Sequence, residues 1–297
     1  MKLSLHVSVM VEEVLRYLNP REDGIYVDCT LGTGGHSLAI LEKTGGRIKL
    51  IGIDWDEEAL RISWERLKEY RGKINLVRAN FADIAKILKE QGIQRVNGFI
   101  YDLGLSSLQL EDPYRGFSFL REAPLDMRMD KRGKITASHL VNRLSRKELE
   151  DILWSLGEER WAKRMAEFIV EERKKSPIST TKELVEVIKR AVPAKFRRGK
   201  RTHFATRAFQ ALRIAVNQEL DNLEKSLSEA IGFLFSGGRL CVISYHSLED
   251  RIVKRKFKKV EGKELRILTP KVVRPSFQEI RVNPKSRSAK LRAAEKL

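Results

Sequence analysis

Residues 26–37, Tyr-Val-Asp-Cys-Thr-Leu-Gly-Thr-Gly-Gly-His-Ser, constrain the fold of this chain more than any other stretch. An apolar run over residues 25–29 carries an acid, Asp28. The chain then turns through Gly32, Gly34 and Gly35 and continues as Ser-Leu-Ala-Ile-Leu, a helical sequence. A strand feeding a glycine turn into a helix start can cradle a nucleotide: glycine tolerates φ > 0 and lets a ligand lie against bare backbone. The helix start adds N–H groups with no intrahelical partner and a partial positive charge. A tight strand-to-helix turn without a ligand would look the same locally, so the context must decide. Residues 49–53, Lys-Leu-Ile-Gly-Ile, form a second apolar run, and it also ends in an acid, Asp54. That is where a carboxylate meets ribose hydroxyls in a doubly wound sheet.

The chain around these two units alternates. Residues 6–18 place Val7, Met10, Val11, Val14, Leu15 and Leu18 at helical spacing and stop at Asn19-Pro20. A helix is expected over 56–70, a third strand over 75–79, a helix running through Leu88, and a fourth strand over 98–103. Strand and helix in turn argue a parallel sheet with helices on both faces.

The alternation then stops. Residues 104–133 read as loop, with Pro113, Gly116, Pro124 and Gly133, and so long an unstructured stretch points to a functional segment such as a lid. Helical patterns follow: a capping box, Ser145 with Glu148, opens one helix that Gly157 closes, and others cover 158–175 and 181–192. An all-helical insertion over 108–204 is expected, between two parts (1–107 and 205–297) of one discontinuous domain. Residues 204–235 read as a long helical stretch broken once, 239–244 as a fifth strand beside the fourth, and 252–259 as a basic helix. Residues 265–268 and 279–282 are expected to close the sheet as two strands, leaving an exposed, partly disordered tail from Asn283.

Net charge is +18 and unevenly spread. Residues 251–297 hold 16 Lys or Arg against 4 Glu, and residues 187–213 hold nine basic side chains and no acid, among them Lys195, Arg197, Arg198, Lys200 and Arg201. Segregated positive charge is the footprint of a polyanion, here nucleic acid, whereas a merely solvated surface would intersperse both signs. No apolar run approaches the ~20 residues of a membrane span, and the first residues lack the apolar stretch of a signal peptide. Cys29 and Cys241 fall in expected buried strands without metal-ligand spacing, as small core residues of a reducing, cytoplasmic protein.

A dinucleotide enzyme would place Gly-x-Gly-x-x-Gly directly after the strand; the spacing here is Gly32-x-Gly34-Gly35. An acid, a glycine turn, a second acid after strand two and Asp102-Leu-Gly-Leu after strand four instead resemble an S-adenosyl-L-methionine methyltransferase. Five stretches are similar to the signatures of the bacterial RsmH (MraW) family: Thr30-Leu-Gly-Thr-Gly-Gly-His-Ser37, Asp102-Leu-Gly-Leu-Ser-Ser-Leu-Gln-Leu110, Pro124-Leu-Asp-Met-Arg-Met129, Phe209-Gln-Ala-Leu-Arg-Ile214 and Tyr245-His-Ser-Leu-Glu-Asp-Arg251. The resemblance implies an α/β fold, a doubly wound, mostly parallel Rossmann-like methyltransferase sheet with an inserted all-helical domain that recognises RNA. It implies methylation of cytosine N4 in 16S ribosomal RNA of the small subunit, with S-adenosyl-L-methionine as cofactor. Carried over, the cofactor site falls on Gly34, Gly35, His36, Asp54, Phe81, Asp102 and Gln109.

The acceptor poses the chemical difficulty, because the lone pair of an exocyclic amine is delocalised into the ring. Hydrogen-bond acceptors on its N–H groups would return electron density to nitrogen. DNA amine methyltransferases do this with an Asp/Asn/Ser-Pro-Pro-aromatic motif after strand four; Asp102-Leu-Gly-Leu lacks both prolines and the aromatic. Asp102 is the first candidate for the polar, catalytic anchor, ahead of Ser106 and Tyr245. Two other readings stay open on the residues alone: a methyltransferase of a protein or small molecule, and a cofactor-binding RNA assembly factor without turnover.

Overall fold

Successive residues of a strand point to opposite faces of a sheet, so a strand covered on both faces reads as a continuous apolar run. That is the pattern at residues 25–29, 49–53 and 98–103. The structure, a computed structural model, describes residues 8–197 and 203–297; His6 and Val7 of the first expected helix, and Arg198, Lys200 and Arg201 of the basic cluster, lie outside the described residues. The chain divides into two compact units, Met1–Gly104 with Leu220–Leu297, and Leu105–Glu219.

The first half of the chain alternates as α1 (Val11–Leu18), β1 (Ile25–Asp28), α2 (Gly35–Lys43), β2 (Lys49–Asp54), α3 (Glu57–Arg66), β3 (Ile74–Arg78), α4 (Ile84–Glu90) and β4 (Val96–Asp102). Six helices follow: α5 (Ser107–Glu111), α6 (Ala137–Arg143), α7 (Arg146–Ser155), α8 (Ala162–Arg173), α9 (Thr181–Ala191) and α10 (Thr206–Asn217). The chain closes with α11 (Glu219–Phe233), β5 (Leu234–Ser244), α12 (Ser247–Val260), β6 (Leu265–Ile267), α13 (Phe277–Val282) and β7 (Lys290–Lys296).

In the first unit, seven strands among the described residues form one sheet in the order β3-β2-β1-β4-β5-β7-β6. The first five run parallel, and β7 is antiparallel to both its neighbours. Tyr26, Leu50, Ile100, Cys241 and Leu291 pack on one face with Val14 and Leu18 of α1 and Ile40 and Leu41 of α2. Val27, Ile51, Phe99, Leu240 and Ala294 pack on the other with Ile87 of α4, Leu227 of α11 and Phe257 of α12. Cys29 and Cys241 are free, buried and on opposite faces. Strand order reverses at β1 and β4, and there the carboxyl ends of adjacent strands diverge into a crevice.

The closing segment departs from the expectation. Residues 279–282 are not a strand but belong to α13, because Ser276 accepts the N–H of Glu279 at 3.1 Å and caps a helix there. Nor is the chain after Asn283 an exposed tail: residues 290–296 are β7, paired with β5 from Arg239 opposite Glu295 to Ser244 opposite Lys290. Lys-Leu-Arg-Ala-Ala-Glu-Lys hides its strand character, because alanine is a weak strand former and four of the seven residues are charged. Leu291, Ala293 and Ala294 are nonetheless fully buried, and Arg292 and Glu295 are paired with Asp250 and Arg239.

The second unit is helical, with a long ordered connection from α5 to α6. In Pro124-Leu-Asp-Met-Arg-Met, Leu125, Met127 and Met129 are buried, while Asp126 and Arg128 form a two-oxygen pair at 2.8 and 2.6 Å. Asn217, at the end of α10, donates to Met127 O and accepts from Met129 N, both at 2.8 Å. Those bonds tie α10 into the helical unit, so its C-terminal limit is Glu219 where the sequence suggested residue 204. The expected break in the long helical stretch falls at Gln218, whose φ is 51°.

Candidate active site

The glycine turn links β1 to α2, and its glycines answer to identifiable demands. Gly34 begins the helix in the left-handed region, φ 76°. A Cβ on Gly35 would collide with Ser8 Oγ, because the Ser8 side chain lies against the turn. Ser63 on α3 donates to Gly32 O at 2.7 Å, and Gly32 N–H donates to Asp54 Oδ2 at 2.8 Å. Asp54 Oδ1 accepts from Asp56 N–H at 2.9 Å. Each carboxylate oxygen therefore keeps one lone pair for a further donor. Burial, followed by the charges of Asp56 and Asp28, lifts the Asp54 carboxyl to about 6 against the two backbone bonds that oppose it.

Asp28 lies beneath the turn, 2% exposed, accepting from Ser37 Oγ at 2.7 Å and Thr30 N at 3.2 Å. The Thr30 hydroxyl accepts the backbone N–H of Asp102 at 2.6 Å, which joins the ends of β1 and β4. Asp102 then reaches two partners. Tyr245, just after β5, donates its hydroxyl to Asp102 Oδ1 at 2.8 Å. His36 Nδ1 lies 3.7 Å from Asp102 Oδ2, and the Asp102 side chain is 19% exposed. Burial raises the carboxyl of Asp102, while His36 and the Tyr245 bond pull it down. Burial also holds the Tyr245 hydroxyl well above its usual range, reinforced by the Asp102 charge. His36 Nε2 bonds Val9 O at 2.9 Å.

Of the expected cofactor residues, Gly34, Gly35, His36, Asp54 and Asp102 come together at the carboxyl ends of β1, β2 and β4. Phe81 opens a short helical turn after β3, capped by the Asn80 side chain, and meets Tyr101 edge-on with centroids 5.8 Å apart. It is half-buried, with one flank against the core. Gln109 belongs to the second unit, where its Oε1 accepts Ser106 N–H at 3.1 Å in a capping box; the Ser106 hydroxyl closes that box. Thr30, Ser37, Ser63 and Glu279 were missed by sequence reasoning. Thr30 and Ser37 lie inside the motif that was singled out, but nothing in the residue order tells that their hydroxyls face Asp102 and Asp28.

Basic side chains gather in each unit. On α12, Val253 and Phe257 face the core, while Arg251, Lys254, Arg255, Lys258 and Lys259 are exposed. In the second unit the Arg160 guanidinium stands 4.1 Å from the Phe196 ring centroid and 5.1 Å from that of Trp161, and Lys195 stands 5.2 Å from Phe196. No helix among the described residues is long and apolar enough to cross a membrane.

The model of the MraW methylase family matches residues 3–297. The ribosomal RNA small subunit methyltransferase H of Geotalea uraniireducens (strain Rf4) is 52% identical over 311 residues, which cover 98% of this chain and 98% of that protein. The same-named proteins of Pseudothermotoga lettingae and Thermotoga neapolitana are each 51% identical, covering 98% of this chain and 99% and 95% of their own. A solved rRNA methylase from Streptococcus thermophilus is 11% identical, with a TM-score of 0.44, over 97% of this chain and 93% of that one.

Proposed function

The chain belongs to the MraW methylase family, and from that premise we propose that it methylates the exocyclic N4 amine of a cytidine in 16S ribosomal RNA. It is an S-adenosyl-L-methionine-dependent methyltransferase acting on small-subunit ribosomal RNA; the base, the atom and the cytoplasmic subunit as its setting are the finer reading. The observation that carries this reading is Asp102: a raised carboxyl, held at Oδ1 by Tyr245 and partly open, at the end of a central strand.

The residues present suit the cofactor. The turn at Gly34 and Gly35 presents backbone without side chains, with Ser8 Oγ on the Cβ side of Gly35. Helix α2 begins with no side-chain cap on its first N–H groups, which suits the methionine carboxylate. Asp54 keeps two lone pairs for a ribose diol, and Phe81 offers an aromatic face to adenine. Gln109 is assigned to the cofactor by the family resemblance alone. When bound, S-adenosyl-L-methionine supplies a methyl group on a sulfonium sulfur, which keeps the bonding electron pair as the methyl passes to the amine nitrogen.

The chain's own work is at the nitrogen. The Asp102 carboxylate accepts an N–H of the amine and so returns electron density to the lone pair. After transfer the nitrogen must shed a proton, and Asp102 Oδ2 takes it. A carboxylate made more basic by burial is the better acceptor. Tyr245 holds Oδ1, so Oδ2 is the oxygen left for the substrate. The helical unit, with its Arg160, Trp161, Lys195 and Phe196 cluster, and the basic face of α12 hold the RNA; rings can stack on bases while cations meet phosphates.

Mass spectrometry of ribosomal RNA from a strain lacking the protein tests this. Loss of a single N4-methyl mark in 16S RNA is expected. Immature subunits with every mark intact would instead identify an assembly factor.

A further inference from the structure

The peptide joining Val9 to Met10 is held on both sides. Its carbonyl accepts from His36 Nε2 at 2.9 Å, and its N–H donates to Glu279 Oε1 at 2.7 Å. Met10 has φ 55°, a left-handed conformation that methionine rarely adopts, and its side chain is buried. Such strain, about 1–3 kcal/mol, persists only where the surroundings over-determine it, and it clusters at functional sites. Here the clamps are a ring of the glycine-turn helix and an acid from α13, 269 positions away in sequence.

The clamp has a chemical consequence. A carbonyl only accepts, so the proton on that edge of His36 sits on Nε2. Nδ1 lies 3.7 Å from Asp102 Oδ2: protonated, it pairs with the Asp102 carboxylate, and in the neutral ring it is a bare lone pair that can accept a proton. The charged groups acting on Asp102 and Glu279 include Asp28, Glu249, Glu12 and Glu13, all acids, and His36 is the basic group set among them. One line of groups thus runs from the Tyr245 hydroxyl through Asp102, His36 and the Val9 to Met10 peptide to Glu279.

We propose that Glu279 is a positioning residue for methyl transfer. It pins the strained peptide, the peptide fixes His36 with its proton on Nε2, and Nδ1 then shares the proton that Asp102 takes from the amine. This rests on Asp102 being that acceptor. The step balances: one proton leaves the amine nitrogen for Oδ2, and the Oδ2–H bonds to Nδ1 or passes to it, leaving imidazolium beside carboxylate. His36 keeps its Nε2 proton on Val9 throughout. The 3.7 Å separation must close by about half an ångström, as catalytic hydrogen bonds commonly do once substrate is bound.

Nitrogen-15 NMR of histidine-labelled protein without cofactor, at a pH where the ring is neutral, reads the tautomer directly. His36 in the wild type is expected as the Nε2–H form; an Nδ1–H form overturns the proposal without any variant. Glu279→Ala is expected to mix the tautomers and to slow single-turnover methylation about tenfold. Glu279→Gln keeps an amide oxygen for Met10 N–H and is expected to restore the tautomer and bring the rate within about threefold of wild type. An unchanged tautomer in Glu279→Ala, or a Gln variant no better than Ala, sinks the assignment; if the Ala variant does not fold, the wild-type and Gln spectra decide. Asp102→Asn at full rate would remove Asp102 as acceptor while leaving the tautomer result standing, which separates the two failures.

Discussion

Lowering the pH from 7 to 5 should weaken S-adenosyl-L-methionine binding through Asp54, by an amount the structure sets. The carboxyl is lifted to about 6, chiefly by burial. A ribose diol donates hydrogen bonds, so it selects the ionised carboxylate; the protonated acid has lost an acceptor position. Below its folded pKa the free protein holds a proton that must leave on binding, so affinity falls as pH falls. If only the carboxylate binds, Kd is multiplied by a factor of about 2 at pH 6 and about 11 at pH 5, and one decade is about 1.4 kcal/mol. Asp54→Asn removes the charge and should weaken binding at pH 7 by about 1.5–3 kcal/mol, the worth of a charge-assisted bond. It should also flatten the profile, which separates Asp54 from other groups titrating in the same range. Calorimetry at three pH values gives the affinities, and repetition in buffers of different ionisation enthalpy should show about half a proton released at pH 6. A wild-type affinity that changes less than twofold across the range, or an Asn variant with the same slope, would remove Asp54 from the ribose site.

Thr30→Val deletes the hydroxyl that accepts the Asp102 N–H at 2.6 Å; denaturant unfolding should show a loss of about 1–3 kcal/mol, and single-turnover rate should fall more than cofactor affinity. Deleting residues 289–297 removes β7 from between β5 and β6, and circular dichroism should find no cooperative unfolding; a wild-type melting curve would show that the strand is dispensable. Replacing Lys254, Arg255, Lys258 and Lys259 of α12 by Gln should leave cofactor affinity unchanged and lower the slope of log K for RNA against log salt by about 3. A slope equal to wild type would place the RNA elsewhere.

The parallel half of the sheet was legible because burial on both faces writes itself as unbroken apolar runs, and because each run ended in a visible turn or acid. β7 was not legible for the converse reason. Its partners shield it along both edges, so small alanines suffice inside and charged residues can pair along its length, as Arg292 does with Asp250. Periodicity reports apolar bulk, and this strand has little. The α13 error has a different cause: Phe-Gln-Glu-Ile-Arg-Val alternates weakly, but the Ser276 cap decides the local structure before the alternation can. The basic helix expected over 252–259 is α12, with its charges on the exposed face, whereas Lys290, Arg292 and Lys296, expected on an exposed tail, belong to β7.

At the site, residue types were legible and their connections were not. Asp54, Asp102 and the glycine turn stand out because each ends a strand or breaks a pattern. Hydrogen bonds across 72 positions, such as Thr30 to Asp102, or 269, such as Glu279 to Met10, leave no mark in local sequence. The glycines illustrate the difference. Read alone, Gly35 suggests a ligand approaching bare backbone; in the structure the space beside it is taken by Ser8. The glycine therefore also makes room for Ser8 beside the turn. Ser8 precedes the Val9 whose carbonyl meets His36 Nε2, so the same short segment touches both Gly35 and the imidazole. A Cβ at position 35 would first have to displace the Ser8 hydroxyl, one residue before the Val9 carbonyl that holds His36 Nε2.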